Sequence, residues 1–460
     1  MTVSHHEYRH PGEGKESHHH ATQHDPTSHG HGHRHADMLS VEEAYERIMA
    51  HFGPLDAEEK SILQALGQVL AQDVTSPFRL PPLDNSAMDG YALRHQDIVG
   101  ASASSPKLLK VISQVAAGQM PTKEVGEGTA IRIMTGAPVP SGADTVVPFE
   151  ETDEVERKGR GLSLGEIGVR TELPQGANVR PAGEDVQRGE LVLKAGTVLR
   201  PSEMGVLASL GMEKVRVIRR PIVAILATGD ELLNVGEPVE PAKIYDSNSY
   251  SLAASVLKYG GIPKVLGIAR DNLEDMHQKL SQGTTSDLLI TSAGVSRGDY
   301  DIVKDVLMER GEISFWSVRM RPAKPLAFGI IHGPEGKPVP HLGLPGNPVS
   351  AMVAFEEFAR PAILSMLGKT LLAKPMIEAV LEGPIYNVDE RRVFARVEVT
   401  KRDGAYYANP TGPQGSNILT SMSKANGLAI CPEDVPVMGA GQTVKVKMLD
   451  WNEEVFLPWI

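Results

Sequence analysis

Residues 286–308, SDLLITSAGVSRGDYDIVKDVLM, place side chains and small residues that together suit an anion and its counter-cation. The run 287–292 is dominated by Leu, Ile and Thr and reads as a buried strand. Ala293, Gly294, Ser296 and Gly298 follow at once. Small residues let a backbone turn tightly and bring its N–H groups against an anion. Asp299 and Asp301 stand where a helix favours carboxylates, and Ile302, Val303, Val306 and Leu307 then recur at helical spacing. A strand, a small-residue loop and an acidic helix start hold a phosphate through amides and a divalent cation through an Asp. Strand-to-helix turns also carry Gly for geometric reasons, so this stretch alone leaves both readings open.

The neighbouring stretches repeat the layout. Residues 221–227 (PIVAILA) form an apolar run ending in Thr228, Gly229, Asp230 and Glu231. Residues 265–268 form a third, ending in Arg270 and Asp271, and 313–318 a fourth, ending in Arg319, Arg321, Pro322, Ala323 and Lys324. Helical patterns over 249–258, 273–280 and 300–310 separate them. That alternation predicts a parallel sheet with right-handed crossovers, in which ligands bind beyond the carboxyl ends of the strands. Residues 326–331 and 339–342 then read as a hairpin. Pro345, Gly346, Asn347 and Pro348 read as a rigid turn opening a helix with Val353, Phe355 and Phe358 on its core face, another candidate anion contact.

The remaining chain bounds the reading. Its 460 residues carry a formal charge of -12, which argues against broad nucleic-acid binding. No apolar run approaches the roughly 18 residues of a membrane span, and the polar start does not resemble a signal peptide. The single cysteine, Cys431, fits a reducing cytoplasm. Eleven of the 16 histidines fall in residues 1–37. That segment lacks the apolar residues for a core and should be disordered; it reads as a Zn or Ni binding tail or as a plain polar extension. Ser40 with Glu43 predicts a capping box ahead of a helix ending at Gly53, and 57–71 reads as a second helix with Ile62, Leu63, Leu66, Val69 and Leu70 in its stripe. Next comes LPPLDNSAMDGYALR, a loop too rich in Pro, Asp and Asn for packing alone. Residues 108–151 are strand and turn, 176–199 short strands around a loop with Arg180, Glu184 and Asp185, and 201–210 a helix. Past 374 alternating strands predict a terminal β domain or small barrel.

PPLDNSAMDGYAL, IRIMTGAPVPSGADTVVPFEE, RPAGEDV, ATGDEL, IYDSNS, SAGVSRGDYD, RPAKPLAFG and LPGNPVSA, in this order, resemble the molybdopterin molybdotransferase family, MoeA and the gephyrin E domain. The resemblance runs from about residue 37 to the C-terminus. It implies a multidomain α/β and β fold. Residues 1–37 would be the tail, 38–77 and 179–218 the two segments of an elongated domain, 78–178 a small β domain, 219–370 the α/β molybdopterin-binding domain, and 371–460 a β-barrel-like domain. It also implies insertion of molybdate into adenylylated molybdopterin, with release of AMP and a cation such as Mg2+. Asp230, Glu231, Asp271 and Asp299 would hold the cation. Asp89, Thr135, Asp185 and Lys324 join the last three as the catalytic set, Asp89 and Thr135 reaching the site of a partner subunit in a homodimer. Thr228, Gly229, Asp246, Ser292, Gly294, Ser296, Gly298, Arg321, Pro345, Gly346 and Asn347 would contact the pterin and its phosphates. A molybdopterin adenylyltransferase would supply the substrate, and molybdoenzymes or their chaperones would receive the product. An adenylyltransferase and a non-catalytic scaffold are the rival readings. Two departures stand out: the family usually has Gly where this chain has Ala293, and Lys-Pro-Gly-Lys-Pro where it has Arg321, Pro322, Ala323, Lys324, Pro325.

Overall fold

Residues 222–228 are Ile, Val, Ala, Ile, Leu, Ala and Thr, and from Val223 onward all are buried. A strand apolar on both faces must have a layer on each side. The computed structural model, which describes residues 38–270, 272–293, 302–333 and 336–451, makes this strand part of a six-stranded sheet. We number its strands β1 (Ile222–Thr228), β2 (Ile262–Ala269), β3 (Leu288–Ser292), β4 (Gly311–Ser317), β5 (Pro325–His332) and β6 (Pro338–Leu344). Their order across the sheet is β2-β1-β3-β6-β5-β4. β1 pairs in parallel with both β2 and β3, and β3 in parallel with β6. β5 is antiparallel to both its neighbours, which leaves β4 running with the others. The four strands expected to run parallel, β1 to β4, do so, and the expected hairpin contributes the single reversed strand of a mixed sheet. The hairpin β5–β6 imposes that reversal, because a short connection joins only antiparallel strands.

Alternate residues face alternate layers. Val223, Ile225 and Ile290 pack with α1 (Asn248–Lys258) and the helical run 348–366. Ala224, Leu226 and Leu289 pack with Met276 and Leu280 of α2 (Leu273–Gly283) and with Val306 and Leu307 of α3 (Ile302–Arg310). The helix Val41–Met49 joins the first of these layers through Val41, Ala44 and Ile48. It starts in the expected capping box: Ser40 Oγ accepts from the Glu43 amide at 3.1 Å, and the Glu43 carboxylate accepts from the Ser40 amide at 2.8 Å.

The second expected helix, over 57–71, does not form. Ala57–Ser61 is a strand antiparallel to Lys214–Ile218, only Ile62–Ala65 is helical, as one 3-10 turn, and Gly67 at φ +78° turns the chain. Leu63 and Leu66, placed in the helix stripe by spacing, are 75% and 47% exposed. Pairing across 150 residues satisfies this backbone, and that outweighs local helical preference. Ala65, Leu70 and Val74 share a core with Leu199, Leu207, Val215 and Val217, so two distant segments build one body.

Strands Gly90–Leu93, Thr129–Ile133, Lys107–Val115, Thr145–Pro148 and Glu166–Val169 form a separate five-stranded sheet. Gly90 is obligatory there, because a Cβ at this position would lie 2.0 Å from the Val147 carbonyl oxygen. After residue 375 the strands Arg392–Arg402, Ala405–Pro410, Met376–Leu381, Thr443–Met448 and Gly427–Cys431 pair in sequence and close back on Arg392–Arg402, giving a five-stranded barrel. No helix among the described residues is long and apolar enough to cross a membrane.

Candidate active site

β1 has β2 on one side and β3 on the other, so the chain leaves its carboxyl end in one direction and enters the neighbouring strand from the other. Such a switch point opens a crevice between the two strand ends. A cavity of about 730 Å³ lies there, lined by Thr228 from the end of β1, Ser292 and Ala293 from the end of β3, Pro345, Gly346 and Asn347 after β6, and Glu231, Asp246 and Asn248. Sequence reasoning named all of these except Asn248 and, as a contact, Ala293.

Local geometry explains each placement. Gly229 has φ +137°, and a Cβ there would meet Glu231 Oε2 at 2.2 Å, so the glycine lets the Glu231 carboxylate fold back over the turn. Asp230, on the same turn, is exposed and does not line the cavity. Asp246 is buried and its Oδ1 accepts from the Ser249 amide at 3.0 Å, which fixes the first turn of α1. Asn248 Nδ2 donates to Ser292 Oγ at 2.6 Å and to the Gly346 carbonyl at 2.7 Å, tying three loops together. Ala293 continues from β3 with its amide bonded to the Leu344 carbonyl and takes φ +84°. Asn347 precedes the helix Pro348–Ala354 and its carbonyl accepts from the Ala351 amide. Asp271, Gly294, Ser296, Gly298 and Asp299 lie outside the described residues.

Arg321 and Lys324 separate. Lys324 is exposed, and its carbonyl accepts from Val318, while Pro325 reaches the main cavity. Arg321 faces a second cavity, about 340 Å³, between Met320–Arg321 and the barrel, together with Arg396, Tyr386 and Gln414. Arg321 Nη1 is buried without a hydrogen-bond partner among the described residues. Arg396 is 1% exposed; it donates to Ser421 Oγ at 3.1 Å and to the Gly415 carbonyl at 2.9 Å, neutral partners both. Burial, then the charge of Arg321, push its guanidinium down to about 10. Two guanidinium groups against one cavity give its wall the positive charge that an anion site requires. Sequence reasoning missed Arg396. Its signal was a lone Arg inside the apolar strand ARVEV.

Asp89 and Thr135 do meet, in the five-stranded sheet. The Thr135 amide and hydroxyl both donate to Asp89 Oδ1, at 2.7 and 2.8 Å, and hold the carboxyl below its usual range. Arg132 supports the pair from behind, its Nη1 donating at 3.0 Å to the carbonyls of Gly90 and Ile133. Asp185 is exposed, its amide bonded to the Leu80 carbonyl at 3.0 Å, and no hydrogen bond among the described residues joins it to Asp89 or Thr135. Among the described residues no three His, Cys, Asp or Glu side chains cluster as a ready metal centre.

Three family descriptions match in order: the MoeA N-terminal region (domain I and II) over residues 39–211, a probable molybdopterin binding domain over 224–365, and the MoeA C-terminal region (domain IV) over 378–449. The chain is 37% identical over 420 residues to molybdopterin molybdenumtransferase 2 of Mycobacterium tuberculosis, covering 89% of this chain and 99% of that protein. The chain belongs to the MoeA family. A molybdopterin molybdenumtransferase of Bacillus subtilis is 33% identical over 423 residues, covering 92% of this chain and 96% of its own length. The crystal structure of a molybdopterin biosynthesis MoeA protein from Pyrococcus horikosii superimposes with a TM-score of 0.76 at 32% identity, covering 90% of this chain and all of that one. The MoeA match spans the core shared by residues 57–74 and 199–211, the five-stranded sheet, the α/β sheet and the barrel alike.

Proposed function

We propose that this MoeA chain is a transferase of molybdenum cofactor biosynthesis that inserts molybdate into adenylylated molybdopterin and releases AMP. The observation that carries the reading is the cavity at the β1/β3 switch point, where residues of the ATGDEL, IYDSNS, SAGVSRGDYD and LPGNPVSA stretches meet. Cleaving a phosphoanhydride needs the phosphate charge neutralised and the attacking oxygen held in line. The 293–299 loop and the 345–347 turn would orient the phosphates. Lys324, Arg321 and Arg396 would neutralise phosphate or molybdate. Carboxylates are hard oxygen donors and fit Mg2+; Asp230 and Glu231 would hold it with Asp271 and Asp299. Bound there, the cation would supply charge neutralisation at the bridging phosphate.

Asp89 and Thr135 would complete the site of a second copy in a homodimer, which agrees with their not lining the cavity of their own chain, and Asp185 would join the catalytic set. Division at residues 37, 77, 178, 218 and 370 remains our delineation of the domains. A molybdopterin adenylyltransferase would be the donor, molybdoenzymes or their chaperones the acceptors, and the cytoplasm the compartment. The His-rich 1–37 segment would bind Zn2+ or Ni2+; equal metal uptake by chains with and without it in equilibrium dialysis would sink that part.

AMP release from adenylylated molybdopterin with Mg2+, with and without molybdate, tests the whole. Wild type should release AMP in a molybdate-dependent way, and Glu231→Gln should lose at least a hundredfold in rate, the scale of a lost charge contact at a reacting phosphate. Release independent of molybdate would sink the insertion reading, and ATP consumption without molybdate would favour the adenylyltransferase one.

A further inference from the structure

Asn248 opens α1 on the wall of the main cavity and is 8% exposed. Both hydrogens of its Nδ2 are committed, to Ser292 Oγ and to the Gly346 carbonyl. A carbonyl has no hydrogen to give, so Gly346 can face only the nitrogen, and that fixes which way round the amide sits. The atom left over is Oδ1, buried and without a hydrogen-bond partner among the described residues. An acceptor taken out of water and left unpaired is costly, and a site that keeps one in its wall is built around a donor from elsewhere.

The kind of donor follows from the atom. A phosphate or molybdate oxygen only accepts, so the anionic end of a ligand is unsuited to Oδ1. An N–H on a heterocycle matches it. The pterin ring carries amide and amino N–H groups side by side on one edge, whereas adenine offers an amino group flanked by acceptors. We propose that Asn248 Oδ1 accepts a hydrogen bond from the N–H edge of the pterin, so that the ring lies with this edge against the start of α1 and its phosphate end turned toward Glu231. The proposal rests on the function proposed above and deepens it. Asn248 thereby has two roles through one amide: its nitrogen holds the loops, and its oxygen selects the ring.

Equilibrium binding without molybdate separates these roles with three probes: adenylylated molybdopterin, molybdopterin and AMP. Asn248→Ala should weaken both pterin probes at least tenfold more than it weakens AMP, whose loss reads the loop clamp alone. Asn248→Ser, a milder truncation, should show the same selectivity and stands in if the alanine variant does not melt cooperatively. Equal weakening of all three probes would make Asn248 a loop clamp and overturn the proposal. Unaltered binding of the pterin probes would overturn it too, leaving Oδ1 to a water. Selective weakening of AMP would put adenine on Oδ1 and overturn the pterin assignment. If the wild type itself binds neither pterin probe, the function reading falls and this one with it.

Discussion

Ala293 and Ala323 hold φ values of +84° and +75°, a region that costs an L residue about 1–2 kcal/mol to enter. Ala293 lines the cavity at the end of β3, and Ala323 is buried between Arg321 and Lys324. These are the two positions where the chain departs from a glycine expected by resemblance, so the departures leave the backbone path intact and load it with strain. Glycine there regains some unfolded-state entropy, which offsets part of the relief. Ala293→Gly and Ala323→Gly should each stabilise the chain by about 0.5–1 kcal/mol, read from the urea midpoint. A lower midpoint for either would show that the methyl group is worth more in packing than the strain it causes. Strain beside a ligand cavity persists only when the surroundings over-determine it. The Ala293 amide bonded to Leu344 is one such restraint.

Within β6, His341 is fully buried; its Nε2 meets Thr291 Oγ1 at 2.9 Å, and its Nδ1 has no hydrogen-bond partner among the described residues. Burial pushes its pKa down to about 3 from an ordinary 6.5. The folded chain therefore keeps it neutral while the unfolded chain protonates it near pH 6.5. Its stabilising contribution is whole above that value and is lost as pH falls from 6.5 toward 3, on the order of 4 kcal/mol at the lower end. Urea midpoints between pH 7.5 and 3.5 for wild type and His341→Leu should diverge in that window, with wild type falling the more steeply; parallel curves would sink the assignment. Nothing in the sequence marked this histidine, because PVPHLGL alternates like any sheet strand and only the neighbouring β3 supplies Thr291. The same limit governs the rest of the fold. Elements carried by a continuous apolar run or a cap, such as β1, β3 and the Ser40 box, were legible from residues alone. Residues 57–71 were not, since their helical spacing is overruled by Lys214–Ile218, a partner no local window contains. In the cavity Thr228, Glu231, Asp246, Ser292 and 345–347 were legible as motif residues at strand ends. Asn248 and Arg396 were not: the significance of Asn248 lies in an atom without a hydrogen-bond partner among the described residues, and that of Arg396 in its burial beside Arg321, neither of which spacing encodes.

At the scale of the molecule, Asp89 with Thr135 and the cavity with Glu231 lie on different sheets of one chain, with no hydrogen bond among the described residues between them. The proposed catalytic set, divided this way, needs either a large closure or a second copy. The proposed homodimer makes a specific quantitative claim, because closed twofold symmetry builds two equivalent sites, each from both chains. Asp89→Asn and Glu231→Gln homodimers should each be inactive in AMP release. Mixed, dissociated and reassociated at equal amounts, they form hybrids in half the dimers. Each hybrid carries both lesions in one site and none in the other. Random reassociation should thus restore about a quarter of wild-type activity per chain. If each site were built within one chain, the hybrids would have no intact site and the mixture would stay inactive. Asp89 would then have to swing onto its own β1/β3 cavity, a motion that a disulfide or crosslink between the two sheets would block without affecting a shared-site dimer. Recovery near a quarter, reached at the rate of subunit exchange, is the outcome that the separation of Asp89 from Glu231 leads us to expect.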